Sequence, residues 1–199
     1  MLQLNAAAAK AFLSSEVSNL MEREVVLTKR ECEARLVPAG TEIMIPKDTF
    51  VTITQALGGT FSVAVNGNLA RIEGKDADAL GKEIKFENFE TPADGTINEN
   101  QVWEALRQCY DPEIPVNVVD LGLIYNCKVE NNTDKGNVIH IDMTLTSAGC
   151  GMGPVIVDDI KSKVEQVPNV DHVIVDLVFD PPWSNDMLTD EAKLELGML

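Results

Sequence analysis

The chain has 199 residues, 45% of them hydrophobic, and a formal net charge of −16. That length allows one domain or two small ones, and that apolar share supplies a core and excludes a disordered chain. So acidic a surface repels phosphate backbones, which argues against nucleic acid and anionic membranes as partners.

The charge is uneven. Residues 1–90 carry 10 Lys and Arg against 13 Asp and Glu, whereas residues 91–199 carry 6 against 19. Two segments with different surfaces account for that contrast. Cys32, Cys109, Cys127 and Cys150 form no CxxC pair and lie far apart in sequence. This spacing disfavours a structural zinc site or a local disulfide framework. Free thiols suit a reducing compartment. No apolar run approaches the ~18 residues that span a bilayer, and the N-terminus lacks a signal-peptide pattern. The sequence therefore reads as a cytoplasmic protein.

Residues 1–21 form a polar, Ala-rich segment, expected to be an arm or a short helix. Residues 22–90 read as a small antiparallel β domain, a curled sheet or barrel. Val51 and Ile53 alternate with Thr52 and Thr54, and Phe61, Val63 and Val65 alternate again. Gly58-Gly59 and Asn66-Gly67 are two-residue hairpin signals. Gly74, Gly81 and Lys82 faintly suggest a phosphate loop, but six residues separate the glycines and Glu83 follows the lysine, so the pattern fails. Cys32 lies in a polar stretch and is expected to react at an ordinary rate.

Glu90 to Gly95 reads as a linker. Thr96 and Glu99 are spaced as a capping box, and Val102, Leu106, Cys109 and Tyr110 share one face of the helix that follows. Asp111-Pro112 ends that helix, because the residue before proline avoids the α region. Leu123, Tyr125, Cys127 and Val129 share a strand face, and Asn131 to Asn137 reads as a hairpin loop. Cys109 and Cys127 are thereby core residues. Ile139, Ile141, Met143 and Leu145 line the inner face of the next strand, with His140, Asp142 and Thr144 opposite. A histidine and a carboxylate two apart can share a metal, although a solvated face is the commoner meaning. A helix over 154–167, a strand carrying Val173, Val175, Leu177 and Phe179, and a short terminal helix capped by Thr189 complete the chain. The fold class is thus α+β: the β-rich N-terminal domain, then a helix-strand-strand-helix-strand sandwich over 96–199.

The chain is organised around Thr146-Ser147-Ala148-Gly149-Cys150-Gly151-Met152-Gly153-Pro154, where a β pattern gives way to a helical one. Glycines allow tight backbone and close approach, and Pro154 suits a first helical turn. Cys150 then sits just upstream of a helix N-terminus, whose amides and dipole favour a thiolate. Equally, a free cysteine in a tight turn can be a small buried hydrophobe.

Asp111-Pro112-Glu113-Ile114, Asp120-Leu121-Gly122-Leu123-Ile124-Tyr125, Thr146 with Cys150, and Pro181-Pro182-Trp183 together resemble the metal–sulfur cluster assembly factor family. The Gly-Cys-Gly-Met-Gly turn resembles its SufT subgroup, which is also expected to carry an N-terminal extension like residues 22–90. The resemblance covers residues 96–199. It implies an accessory role in iron–sulfur protein maturation, with Cys150 as the functional cysteine and a possible ligand for iron or a transient iron–sulfur cluster. Asp120, Thr146, Gly149, Gly151 and Gly153 would support that loop. Asp111, Pro112, Glu113, Pro182 and Trp183 match the other family signatures, for which helix termination and turn capping are the structural alternative. Implied partners are scaffold or carrier proteins, apo recipients and a second copy of the chain.

Two readings of another class stay open. One is a thiol enzyme with Cys150 as nucleophile, for which His140 and His172 are the available histidine bases. The other is an adaptor with an inert Cys150.

Overall fold

Glycine-bearing two-residue turns shape the first half of the molecule. The computed structural model describes residues 23–84, 89–134 and 136–198, so the expected N-terminal arm lies outside the described residues. Strands β1 (Glu24–Leu27), β2 (Cys32–Val37), β3 (Glu42–Ile45), β4 (Phe50–Leu57), β5 (Thr60–Val65) and β6 (Asn68–Ile72) form one antiparallel sheet, ordered β1-β4-β5-β6-β2-β3. Gly58 and Gly59 join β4 to β5 with φ of 56° and 75°, and Asn66 and Gly67 join β5 to β6 with φ of 50° and 80°. Two successive left-handed residues match the twist of the flanking strands, which fixes the hairpin registers Leu57↔Thr60 and Val65↔Asn68.

Inward-facing Ile45, Val51, Ile53, Val63 and Ile72 form the first core. Cys32 belongs to it at 2% exposure, so the expectation of an ordinarily reactive Cys32 fails. Its polar neighbours in sequence point the other way along the strand, and Cys32 takes the inner face. The glycines of the false phosphate loop bracket a 3-10 helix over Gly74–Leu80, whose Ala77, Ala79 and Leu80 cap the same core.

The second half has the expected order. Helix α1 (Glu99–Arg107) leads to β7 (Ile124–Thr133) and β8 (Gly136–Met143), then α2 (Gly153–Val164), β9 (His172–Leu177) and a short α3 (Asp190–Glu195). β7 and β8 are antiparallel, β9 pairs with β8 in parallel, and α2 is the crossover that parallel pairing requires. Val102, Leu106, Cys109, Ile139, Ile141, Met143, Ile156 and Ile160 form the second core. Each fully buried large side chain among them stabilises the fold by about 1.5–3 kcal/mol relative to exposure.

Several local expectations change. α1 is capped by Asn98, whose side chain accepts the Asn100 N–H, while Thr96 instead bonds Asp94. The Asn98 amide, two residues later, does the work assigned to the capping box. A bulge between Ile124 and Asn126 sets Ile124, Cys127 and Val129 against the core, and the Tyr125 hydroxyl reaches the Pro181 carbonyl instead, at 2.8 Å. The β7–β8 strands run longer than the expected loop allowed, with Thr133 paired to Gly136. Leu177 and Phe179 are exposed rather than inward, at 38% and 44%: Leu177 is the last residue of β9, and Phe179 lies past the end of the strand. Thr144 is buried at 1%, so it does not share the solvated face of His140 and Asp142.

The two cores meet across a polar seam. Gln55 donates to the Asp111 carbonyl at 3.2 Å, buried Ser62 to the Pro112 carbonyl at 2.9 Å, and Arg71 to the Tyr110 carbonyl at 3.3 Å. Arg71 also pairs with Asp159 of α2 at 3.0 Å. Two hairpin turns add backbone contacts: Gly58 against the Gln108 carbonyl, and Gly40 against the Gly151 carbonyl.

Candidate functional site

β8 ends at Met143, and α2 begins at Gly153. Between them the chain makes two tight turns: Cys150 N–H donates to the Ser147 carbonyl at 3.1 Å, and Gly153 N–H to the Cys150 carbonyl at 3.2 Å. Met152, at the helix N-cap position, is fully buried and offers no capping side chain, and Pro154 lies in the first turn of α2. Met152 thus anchors the loop in the core, which leaves Ser147, Ala148, Gly149 and Gly151 exposed and Cys150 half-buried between them, partly packed on the second core.

The three glycines have different tasks. A Cβ on Gly149 would meet nothing within 4 Å. One on Gly151 would lie 2.5 Å from the Ala39 carbonyl oxygen, and one on Gly153 would lie 2.8 Å from Leu145 Cδ1. Gly153 therefore lets α2 pack on β8, Gly151 admits the β2–β3 turn, and Gly149 faces open space. Half-buried Thr146 opens the loop.

The four thiols are unlike. Burial pushes the Cys109 thiol far up and the Cys127 thiol up to about 11, and it raises Cys32 as well. A thiol held protonated is a poor nucleophile and metal ligand. Cys109 and Cys127 are packing residues, as the helical and strand periodicities require.

The remaining signature residues build the frame. Asp111 is buried, and its Oδ1 accepts the N–H groups of Glu113 at 2.8 Å and Ile114 at 3.1 Å. Burial pushes its carboxyl above the ordinary range. Pro112 is buried at the seam, and the Glu113 side chain is exposed. Asp120 accepts from Asn117 Nδ2 at 2.6 Å, and its carbonyl accepts the Thr189 N–H at 3.0 Å. Burial together with the nearby Asp120 carboxylate raises Glu195 on α3. Trp183 donates its indole N–H to the Leu121 carbonyl at 2.8 Å, with exposed Pro182 beside it. Gly122, at φ 68°, lies against the Met187 carbonyl. The Asp120–Tyr125 and Pro181–Trp183 motifs are therefore two sides of one strap, which the sequence separates by more than fifty residues. None of the described contacts of Asp120 is with the Cys150 loop.

The histidines lie elsewhere on the sheet. His140 Nε2 is 3.9 Å from Glu130 Oε2, and its register neighbours are Lys128 and Ile174. His172 pairs with Val138, whereas the strand ends leading to the Cys150 loop are Met143 and Leu177. Five residues of strand set His172 about 16 Å from that end. Among the described residues, no group of three or more His, Cys, Asp or Glu converges as a metal site. No helix among them is long and apolar enough to cross a membrane.

The sequence of the second half is similar to that of known proteins. Residues 99–176 match the family model described as iron–sulfur cluster assembly protein. A Porphyromonas gingivalis protein named Fe-S protein maturation auxiliary factor is 46% identical over 51% of this chain and 92% of its own. The Bacillus subtilis Fe-S protein maturation auxiliary factor YitW is 40% identical over 51% of this chain and 95% of its own. The Staphylococcus aureus Fe-S protein maturation auxiliary factor SufT is 42% identical over 44% of this chain and 96% of its own. That last match spans 88 residues, which leaves the Staphylococcus protein no room for a counterpart of residues 22–90. The N-terminal extension expected of the SufT subgroup is therefore not a feature of this relative.

Proposed function

The chain belongs, through its second half, to the iron–sulfur cluster assembly protein family, and on that footing we propose that it is an auxiliary factor in iron–sulfur protein maturation with Cys150 as its working thiol. The observation that carries the reading is the contrast among the thiols. Burial raises the pKa of three, and Cys150, although partly packed on the second core, lies half-buried next to the exposed Ser147–Gly149 stretch inside the matched region.

Thiolate is a soft ligand suited to iron and iron–sulfur clusters. Stable clusters take four such ligands, and the described residues bring one thiol to this loop. A cluster is accordingly cargo here, held with ligands from a scaffold, a recipient or a second copy of the chain. Self-association supplies a second Cys150 and belongs to the same reading. The role is read as accessory, in line with the relatives named auxiliary factors, and the described contacts of His140 are with Glu130 and its strand neighbours. The cytoplasm, where thiols stay reduced, is the compartment that fits it.

Anaerobic reconstitution with iron and sulfide, followed by absorption spectroscopy, tests the ligand assignment. The reading expects visible absorption with the wild-type chain that Cys150→Ser loses. Equal iron and sulfide uptake by both chains contradicts it.

A further inference from the structure

Strand β2 ends with Leu36 packed on the first core and Val37 packed against the second. Alternation along a strand sends consecutive side chains to opposite faces, so this one strand end links both cores. The turn that follows is tight: Gly40, at φ 70°, donates its N–H to the Leu36 carbonyl at 2.7 Å. Its backbone meets the Cys150 loop directly. Gly40 abuts the Gly151 carbonyl, and a Cβ on Gly151 would stand 2.5 Å from the Ala39 oxygen and 2.8 Å from the Pro38 oxygen. Those are backbone atoms, which cannot swing aside as a flexible side chain does.

We infer that the β2–β3 turn is a positioning element for Cys150, fixing its loop through the Gly151 backbone and leaving the Gly149 side unrestrained. The inference rests on the Cys150 reading above and adds to it a task for the N-terminal domain. The two flanking glycines differ in the way this requires. Neither has a positive φ, so alanine strains the backbone at neither position. Alanine at 149 enters open space, and alanine at 151 must push the turn away. A loop freed on one side opens locally at lower free energy.

The test measures alkylation of Cys150 in the full chain by iodoacetamide and by a bulky biotin-linked maleimide, with the labelled peptide identified by mass. Gly149→Ala is expected to react as wild type. Gly151→Ala is expected to react about tenfold faster, with a smaller gap between the two reagents, because the loop opens on its second flank. Wild-type rates for both reagents in folded Gly151→Ala overturn the inference. Should that variant not fold, the unmodified chain supplies the test in urea below its unfolding transition. There, Cys150 reactivity is expected to rise in step with hydrogen exchange of the Gly40 amide, and independent responses overturn the inference. Neither readout depends on iron–sulfur maturation, so failure here and failure of the functional reading are separate results.

Discussion

Arg71 Nη2 lies 3.0 Å from Asp159 Oδ2, an ion pair joining β6 to α2 with side-chain exposures of 1% and 7%. Asp159 also accepts from Lys163 Nζ at 3.0 Å, and Arg71 Nε also donates to Glu73 Oε1 at 2.9 Å. Four charges thus neutralise one another at the seam between the cores. Buried charges tolerate this only as a set, because removing one leaves its partner desolvated and unpaired. Arg71→Met is expected to lower stability by about 3–5 kcal/mol. Adding Asp159→Leu is expected to restore part of that loss. Urea unfolding of the two variants and wild type checks both. Additive losses contradict a coupled pair.

The linker expected at 90–95 and the presence of two cores make residues 91–199 a candidate independent unit. A fragment over that range is expected to unfold cooperatively, since its helices and sheet cover their own apolar faces. It is also expected to be less stable than the full chain, because it exposes the seam around Asp159 and Pro112. Far-UV dichroism through a thermal ramp decides the matter. A non-cooperative melt contradicts the boundary.

Asp111 offers a pH signature. Burial raises its carboxyl, although the Glu113 and Ile114 N–H groups pull the other way. A carboxyl raised in the folded state contributes stability that is complete below the ordinary carboxylate range and is lost as pH rises through the raised value. Asp111→Asn keeps the acceptor oxygen and removes the titration. The stability of the variant relative to wild type is therefore expected to improve between about pH 4 and about pH 7. A pH-independent difference contradicts the assignment.

The thiols are expected to alkylate in a fixed order in native protein at neutral pH. Cys150 reacts first, and Cys32, Cys109 and Cys127 follow more slowly because burial raises each of them. Peptide mass spectrometry over a time course reads the order directly. Modification of Cys127 or Cys32 before Cys150 contradicts it.

Much of the frame was legible because it rests on local rules. Gly58-Gly59 and Asn66-Gly67 announced hairpins, Ile156 and Ile160 a buried helical face, and Pro154 the start of α2. The thiol loop was legible for the same reason, since a β period and a helical period meet at its glycines. What escaped depends on distant partners. Cys32 was misjudged because burial of β2 is decided by the sheet that closes over it, not by its polar neighbours. Leu177 closes β9 and Phe179 lies beyond it, so the apolar alternation continues in sequence past the strand itself. The strap formed by Trp183 on Leu121 and the turn at Gly40 on Gly151 join segments far apart in the chain, and no local period encodes such a contact.

The central claim is that Cys150 serves iron–sulfur maturation as a thiol and not as a packing residue. Cys150→Ser is expected to keep stability within about 1 kcal/mol, as most changes outside a core do. The direct measurement is the activity of an iron–sulfur enzyme in cells that lack this protein and are supplied with either the wild-type or the Cys150→Ser chain at equal abundance. Restored activity with wild type and none with Cys150→Ser is the predicted result, and equal restoration by both chains contradicts the account.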